Sequence, residues 1–316
     1  MDFNINVVPG PLMVPEGKMG THQLVLFVTW LASKKDLAYK TIKVYLSGVR
    51  FYHISNGHKD PITGKELLRL HVRGIRKLSK STRRYMFPLT VADLRHAKAL
   101  CFDMLGSSSN QRCVWAATML AFFGLLRVSE YAAASAGKFD PLQQLTLGDI
   151  TFKVEKGLEY VVVHIKRSKT DVFREGTTIA VGATGGPLCP VAALKAMLRD
   201  RRSSQQHPSS PLFVYRNKPL TRRTMEATVK GIARRVGKGA DPINTHSLRR
   251  GGASALFANG FTKHQIMVLG RWSSNALNLY LVPAAHMRAQ AAARMAQDLP
   301  QQHHQAHYSD WGARSL

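Results

Sequence analysis

The sequence predicts a mainly α protein with a small antiparallel β-sheet, divided into two basic parts. Three observations carry that reading. Apolar residues recur at helical spacing over residues 21 to 80 and again beyond Pro190. The β-branched run Val161, Val162, Val163 and Ile165 marks a strand. The string Ser79-Lys80-Ser81-Thr82-Arg83-Arg84 reads as a linker, which sets the boundary between the parts near residues 80 to 88.

In order along the chain, residues 1 to 20, with Pro9, Pro11 and Pro15, form a flexible start. Thr21 is placed to cap a helix carrying Leu24, Phe27, Val28 and Leu31. A second helix is expected over residues 41 to 54, with Ile42, Tyr45, Val49 and Tyr52 as its stripe and Gly57 as its stop. A third spans residues 66 to 80. It turns Leu67, Leu68, Ile75 and Leu78 to a core and Arg69, Arg73, Arg76, Lys77 and Lys80 to another face. Thr90 and Asp93 open the second part, and one long helix is expected from Gln111 to Ala134, almost fully buried at first. Strands over 151 to 154 and 158 to 166 flank the turn at Lys156-Gly157, and 177 to 181 makes a third.

Charge narrows the partners. Lys and Arg number 45 against 19 Asp and Glu, a net charge of 45 − 19 = +26. Residues 1 to 84 hold 15 basic and 5 acidic residues, net +10, and the remainder 30 and 14, net +16. Both parts are basic, so a polyanion touching both fits best, and nucleic acid leads over an acidic membrane surface or protein. The apolar stretch from Val114 to Leu126 is shorter than the roughly 20 residues that cross a bilayer. No basic and apolar leader opens the chain. Cys101, Cys113 and Cys189 form no CxxC and leave an odd thiol, against a disulfide framework or a zinc site. The expected compartment is reducing and intracellular, with no membrane partner.

Four local patterns could do chemistry. In Thr245-His246-Ser247-Leu248-Arg249-Arg250-Gly251-Gly252, Thr245 can cap a helix whose first turns carry His246 and Arg249 on one face. The histidine can move a proton near neutral pH and the arginine can fork onto phosphate. Gly251 and Gly252 cost roughly 1 kcal/mol each in a helix interior. A close approach by another segment or by DNA, or a helix break, would account for them. Arg127 ends the apolar run beginning at Met119, and Glu130 is either its ordinary i,i+3 partner or the group that orients it on phosphate. Lys166 and Lys169 both lie near a hairpin tip from which an ammonium could protonate a leaving alkoxide. Trp272 offers an indole N–H shortly before Tyr280, itself either a core tyrosine or a nucleophile.

Together, Arg127 with Glu130, Lys169 on a hairpin, His246-x-x-Arg249, Trp272 and Tyr280 stand in the order of the tyrosine recombinase (phage integrase) family, which the chain resembles over residues 88 to 284. Leu188-Cys189-Pro190-Val191 and Ser168-Lys169-Thr170-Asp171 resemble the eukaryotic branch found in DIRS-like and Crypton mobile elements. Two departures stand out. Many members have histidine where Trp272 stands, and the interval from Trp272 to Tyr280 is eight residues, where many phage and bacterial members have nine.

The resemblance implies a helical core-binding domain over residues 21–84, a catalytic domain over 85–284, and a terminal helix with a polar tail over 285–316. It also implies a site in which Tyr280 attacks a DNA phosphate to give a 3′-phosphotyrosyl link. Arg127 and Arg249 would clamp the phosphate, His246 would assist proton transfer and Lys169 would protonate the leaving oxygen. Trp272 would donate to phosphate and Glu130 would orient the site. The partners implied are double-stranded DNA and three further copies of the chain, as a homo-tetramer on two DNA sites, with the terminal helix docked either in trans or in cis. No ATP, cofactor or metal is expected, since Asp149, Asp171 and Asp241 are scattered rather than clustered. The nucleus is the expected location if the source is eukaryotic. Two other classes fit less well: a DNA-binding protein with a silent site, disfavoured because every catalytic position is filled, and a strand-relaxing topoisomerase.

Overall fold

The computed structural model describes residues 20–78, 86–99, 108–168, 171, 173–201, 207–239, 242–272 and 277. The chain forms two compact units, residues 1–84 and 85–316.

In the first unit, α1 (Thr21–Ser33), α2 (Tyr39–Ser55) and α3 (Glu66–Leu78) enclose a core of Leu24, Phe27, Val28, Leu31, Ile42, Leu46, Leu68 and Val72. Gly20 rather than Thr21 precedes α1, and its N–H donates to Gln23 Oε1 at 2.8 Å. The buried stripe of α2 is Ile42, Leu46 and His53, while the expected Tyr45 and Tyr52 are about half exposed. On α3, Leu68 and Val72 face inward, but Leu67 and Leu78 are 60% and 84% exposed. On each helix the expected and the buried stripe obey helical periodicity and share a residue, Ile42 on α2 and Leu68 on α3, but differ by a rotation of roughly 60°. The neighbouring helices, not the spacing, choose between them.

The second unit is built around α5 (Ser109–Phe123), following the short α4 (Val91–Ala97). Every residue of α5 from Cys113 to Phe122 is buried, which a helix apolar on all sides requires. Its start is capped by Ser108, whose Oγ accepts from Gln111 N–H at 3.3 Å. The single long helix expected to reach Ala134 is instead broken. Gly124 closes α5, Leu125 takes φ +50°, and a one-turn α6 (Val128–Tyr131) resumes beyond Arg127.

A short 3-10 turn at Leu147–Asp149 leads into an antiparallel sheet of β1 (Ile150–Glu155), β2 (Leu158–Ile165) and β3 (Thr177–Gly182) in the order β1-β2-β3. Val161 pairs with Phe152 and with Val181, and Val163 with Ile150 and with Ile179. Val161, Val163 and Ile165 are buried on one face. A Cβ on Gly124 would lie 3.1 Å from Ile179 Cδ1, so the sheet packs closely on the end of α5. Then come α7 (Pro190–Arg201), a two-residue hairpin of β4 (Val214–Tyr215) and β5 (Lys218–Pro219), α8 (Arg222–Arg235), α9 (His246–Ala258) and α10 (Lys263–Leu269). Among the described residues, no helix is long and apolar enough to cross a membrane.

Candidate active site

The break after α5 aims the first arginine. Leu125 at φ +50° turns the chain back, a conformation that costs an L residue about 1–2 kcal/mol. Arg127 follows as the cap of α6. Its backbone N–H donates to Glu130 Oε2 at 2.9 Å and its Nη1 to Glu130 Oε1 at 3.2 Å. Glu130 is 1% exposed. A buried carboxylate needs a cation, and this one has two, because Arg271 Nη2 lies 3.0 Å from Glu130 Oε2.

Helix α9 supplies His246 and Arg249. Thr245 does not cap it through its side chain. Asn244 Oδ1 instead accepts from His246 N–H at 2.9 Å, and Ser247 Oγ from Asn244 N–H at 3.2 Å. Gly251 and Gly252 are explained by another segment of the chain: a Cβ would stand 1.8 Å from Leu89 O at Gly251 and 2.2 Å from Phe122 O at Gly252. The helix is thereby pressed onto residue 89 and the end of α5. Arg249, 2% exposed, donates through Nη1 to Leu125 O and through Nη2 to Gly270 O, and lies 4.2 Å from the centroid of the Trp272 ring. Its fork therefore ties together the three segments that carry the other groups. His246 keeps an exposed edge, yet partial desolvation and then the charges of Arg249, Arg222, Arg250 and Arg127 hold its pKa below the ordinary value.

Beyond α10 the chain turns through Gly270, Arg271 at φ +56°, and Trp272. A Cβ on Gly270 would fall 1.6 Å from the Trp272 ring, so glycine is required for the indole to fold back. Trp272 packs on the small core of Leu125, Ala253, Ile266 and Leu277. Arg271 Nη2 also donates to Leu125 O at 3.2 Å. Among the described residues, Arg127, Glu130, Arg249, Arg271 and Trp272 thus converge, with His246 beside them.

Lys166 leaves the end of β2 and pairs with Asp149, which also accepts from Thr146 N–H at 2.6 Å and Thr146 Oγ1 at 2.7 Å. That pairing makes Lys166 a tie between β2 and the turn before β1. Lys169, Tyr280 and Lys80 lie outside the described residues.

In the first unit, α2 and α3 border a groove of about 670 Å³ lined by Lys43, Arg50, Lys65, Arg69, Arg73 and Arg76, with Glu66 as its acid. Arg69 pairs with Glu66, Arg76 lies over the Tyr39 ring at 5.5 Å, and Arg73 and Lys77 are exposed. Lys43, Arg50 and Lys65 escaped the sequence reading because their cationic face is shared between two helices and the loop joining them.

The model of the phage integrase family matches residues 107–285, more than half of the chain. The chain belongs to the phage integrase family. Two solved structures share its fold. The XerH site-specific recombinase bound to palindromic difH substrate, in a post-cleavage complex, aligns at a TM-score of 0.58 with 16% identity, over 89% of this chain and 71% of that one. The Tn1549 transposon integrase in complex with transposon right end DNA aligns at 0.54 with 16% identity, over 90% and 88%. None of the curated proteins compared matches the chain. The fold is the one shared with these solved site-specific recombinase and transposon integrase structures.

One residue at the centre of the cluster of this phage integrase family member, Arg271, has no role in the sequence reading. Its signal was present: Arg271, not Trp272, stands nine residues before Tyr280, since 280 − 271 = 9. The nine-residue interval of many family members therefore ends on Arg271, with Trp272 as its neighbour.

Proposed function

We propose that this member of the phage integrase family cuts and rejoins DNA strands through a 3′-phosphotyrosyl intermediate. The observation that carries the reading is the pairing of Arg127 and Arg271 on the single carboxylate of Glu130, with Arg249 tied to the same segments through Leu125 O and Gly270 O, beside a histidine kept neutral. Such a site favours an anion, and more strongly one whose charge grows in the transition state.

In this reading Tyr280 Oη attacks the phosphorus, the P–O5′ bond breaks, and the strand remains esterified to tyrosine. The phenolic proton passes to His246, whose neutral imidazole can accept it, and Lys169 protonates the departing 5′ oxygen. Attack by the 5′-hydroxyl of another strand reverses the step, so no ATP is consumed. Arg127 and Arg249 counter charge on the non-bridging oxygens, Trp272 donates its indole N–H to phosphate, and Glu130 orients the arginines. The reaction runs without a metal, because guanidinium groups supply the charge and Asp149 is already engaged by Lys166.

Residues 21–84 act as the core-binding domain, gripping DNA through Arg69, Arg73, Arg76, Lys77 and Lys80. Residues 85–284 are the catalytic domain. Residues 285–316, which lie outside the described residues and whose Ala-rich start is expected to be helical, join four protomers on two DNA sites. Leu188-Cys189-Pro190-Val191 and Ser168-Lys169-Thr170-Asp171 support descent from a DIRS-like or Crypton mobile element.

The test is trapping on a nicked duplex in the presence of chelator. A covalent adduct is expected with the wild type and none with Tyr280→Phe. An adduct that requires metal, or one that survives Tyr280→Phe, would overturn the mechanism.

A further inference from the structure

Arg271 is held more tightly than an incidental surface arginine. Its backbone sits at φ +56°, its side chain is only 10% exposed, and Nη2 is shared between Glu130 Oε2 and Leu125 O. Its Nε and Nη1 are buried, with no hydrogen-bond partner among the described residues. A buried charged donor left unmatched loses its hydration and gains nothing in return, so a side chain with two of them is incomplete as it stands.

Charge points to what completes it. Arg127, Arg249 and Arg271 against Glu130 leave 3 − 1 = +2 in one water-poor cluster, with His246 neutral. A phosphodiester brings one negative charge and its pentacoordinate state brings two, which matches that excess. Strain lies in the same place. Leu125 and Arg271, both in the left-handed region, are joined by the Arg271 Nη2 to Leu125 O hydrogen bond, and strain of this kind gathers at ligand clamps.

We propose that Arg271 is a third phosphate-binding arginine, anchored through Nη2 on Glu130 and completing its Nε and Nη1 hydrogen bonds on a backbone phosphate of the DNA. Both nitrogens are shielded from water in the DNA-free chain. The phosphate therefore reaches them by a local rearrangement of the turn at residues 270–272, where the strained backbone lowers the cost of moving. Glu130 then serves two arginines, holding Arg127 and Arg271 on opposite carboxylate oxygens so that their remaining donors face one anion.

The inference rests on the recombinase reading, and the experiment separates the two. Single-turnover cleavage is measured on a nicked duplex carrying either the normal scissile phosphate or an uncharged methylphosphonate there. Arg271→Ala should cleave the phosphodiester about 100-fold more slowly than wild type, the loss typical of removing one oxyanion donor. It should recover most of that loss on the methylphosphonate, where there is no charge left to neutralise. Equal loss on both substrates, or no loss on the phosphodiester, overturns the proposal. If Arg271→Ala melts before it can be assayed, Arg271→Gln, which keeps much of the side chain's length but not its charge, must cleave the phosphodiester slowly and regain on the methylphosphonate; a wild-type rate on the phosphodiester or no regain refutes the proposal. Should the wild type form no adduct at all, the recombinase reading fails instead, and the phosphate contact is read from duplex affinity, which Arg271→Ala must then lower.

Discussion

His246 shows how a single residue's surroundings set its chemistry. Partial desolvation and four arginines, Arg249, Arg222, Arg250 and Arg127, all disfavour the imidazolium, so its folded pKa lies below the ordinary 6.5. The unfolded chain therefore binds more protons in that interval. The stability this neutral histidine contributes is complete above pH 6.5 and declines as the pH falls through 6.5 towards the folded value. The same shift keeps a proton acceptor available at neutral pH. The second-order rate of DNA cleavage, which reports the free protein, is expected to show its acid limb below pH 6.5. Arg222→Gln, outside the proposed machinery, should move that limb upward towards the ordinary value. A limb at or above 6.5 that ignores Arg222→Gln would contradict this account. The sequence named His246 and Arg249 from their i,i+3 spacing alone, but it could not say that Arg249 spends two donors on the carbonyls of Leu125 and Gly270, because those contacts span 124 and 21 residues of chain.

At the scale of the element, α9 is held by what it lacks. Gly251 and Gly252 let its backbone approach Leu89 O and Phe122 O to distances that no side chain allows. This contact sets the height of His246 and Arg249 above the end of α5. Gly251→Ala and Gly252→Ala should improve local helix propensity by roughly 1 kcal/mol and still destabilise the protein by about 3 kcal/mol each, the upper end of the cost of overpacking. Thermal unfolding of either variant should fall by ~6–12 °C, given about 2–4 °C per kcal/mol for a domain of this size. An unchanged or raised Tm would show that the close approach is not required. The broken helix after Gly124 has a similar origin. A run apolar from Met119 to Leu126 reads as continuous helix, but the sheet residue Ile179 lies against Gly124 and Arg127 is drawn to Glu130, so the chain turns where helical periodicity alone would continue.

For the whole molecule, charge is the property that a sequence states most directly. A net +26 spread over both units implies binding in which counterions are released, with log K falling about 0.9 for each phosphate neutralised per tenfold rise in salt. Arg73 and Lys77 are exposed on α3, so Arg73→Ala and Lys77→Ala should each reduce the slope of log K against log salt by about 0.9. A slope that stays at the wild-type value would remove α3 from the DNA contact. Composition, helical and strand periodicity, and the order of Arg127, Glu130, His246, Arg249 and Trp272 were all legible in the chain itself, because each depends on residues close in sequence or on simple counting. Which face of α2 and α3 is buried, why Gly251 and Gly252 must be glycine, and the placing of Arg271 opposite Arg127 on one carboxylate depended on the tertiary structure. Those features are contacts between segments as far as 251 − 89 = 162 residues apart, and only packing brings such segments together.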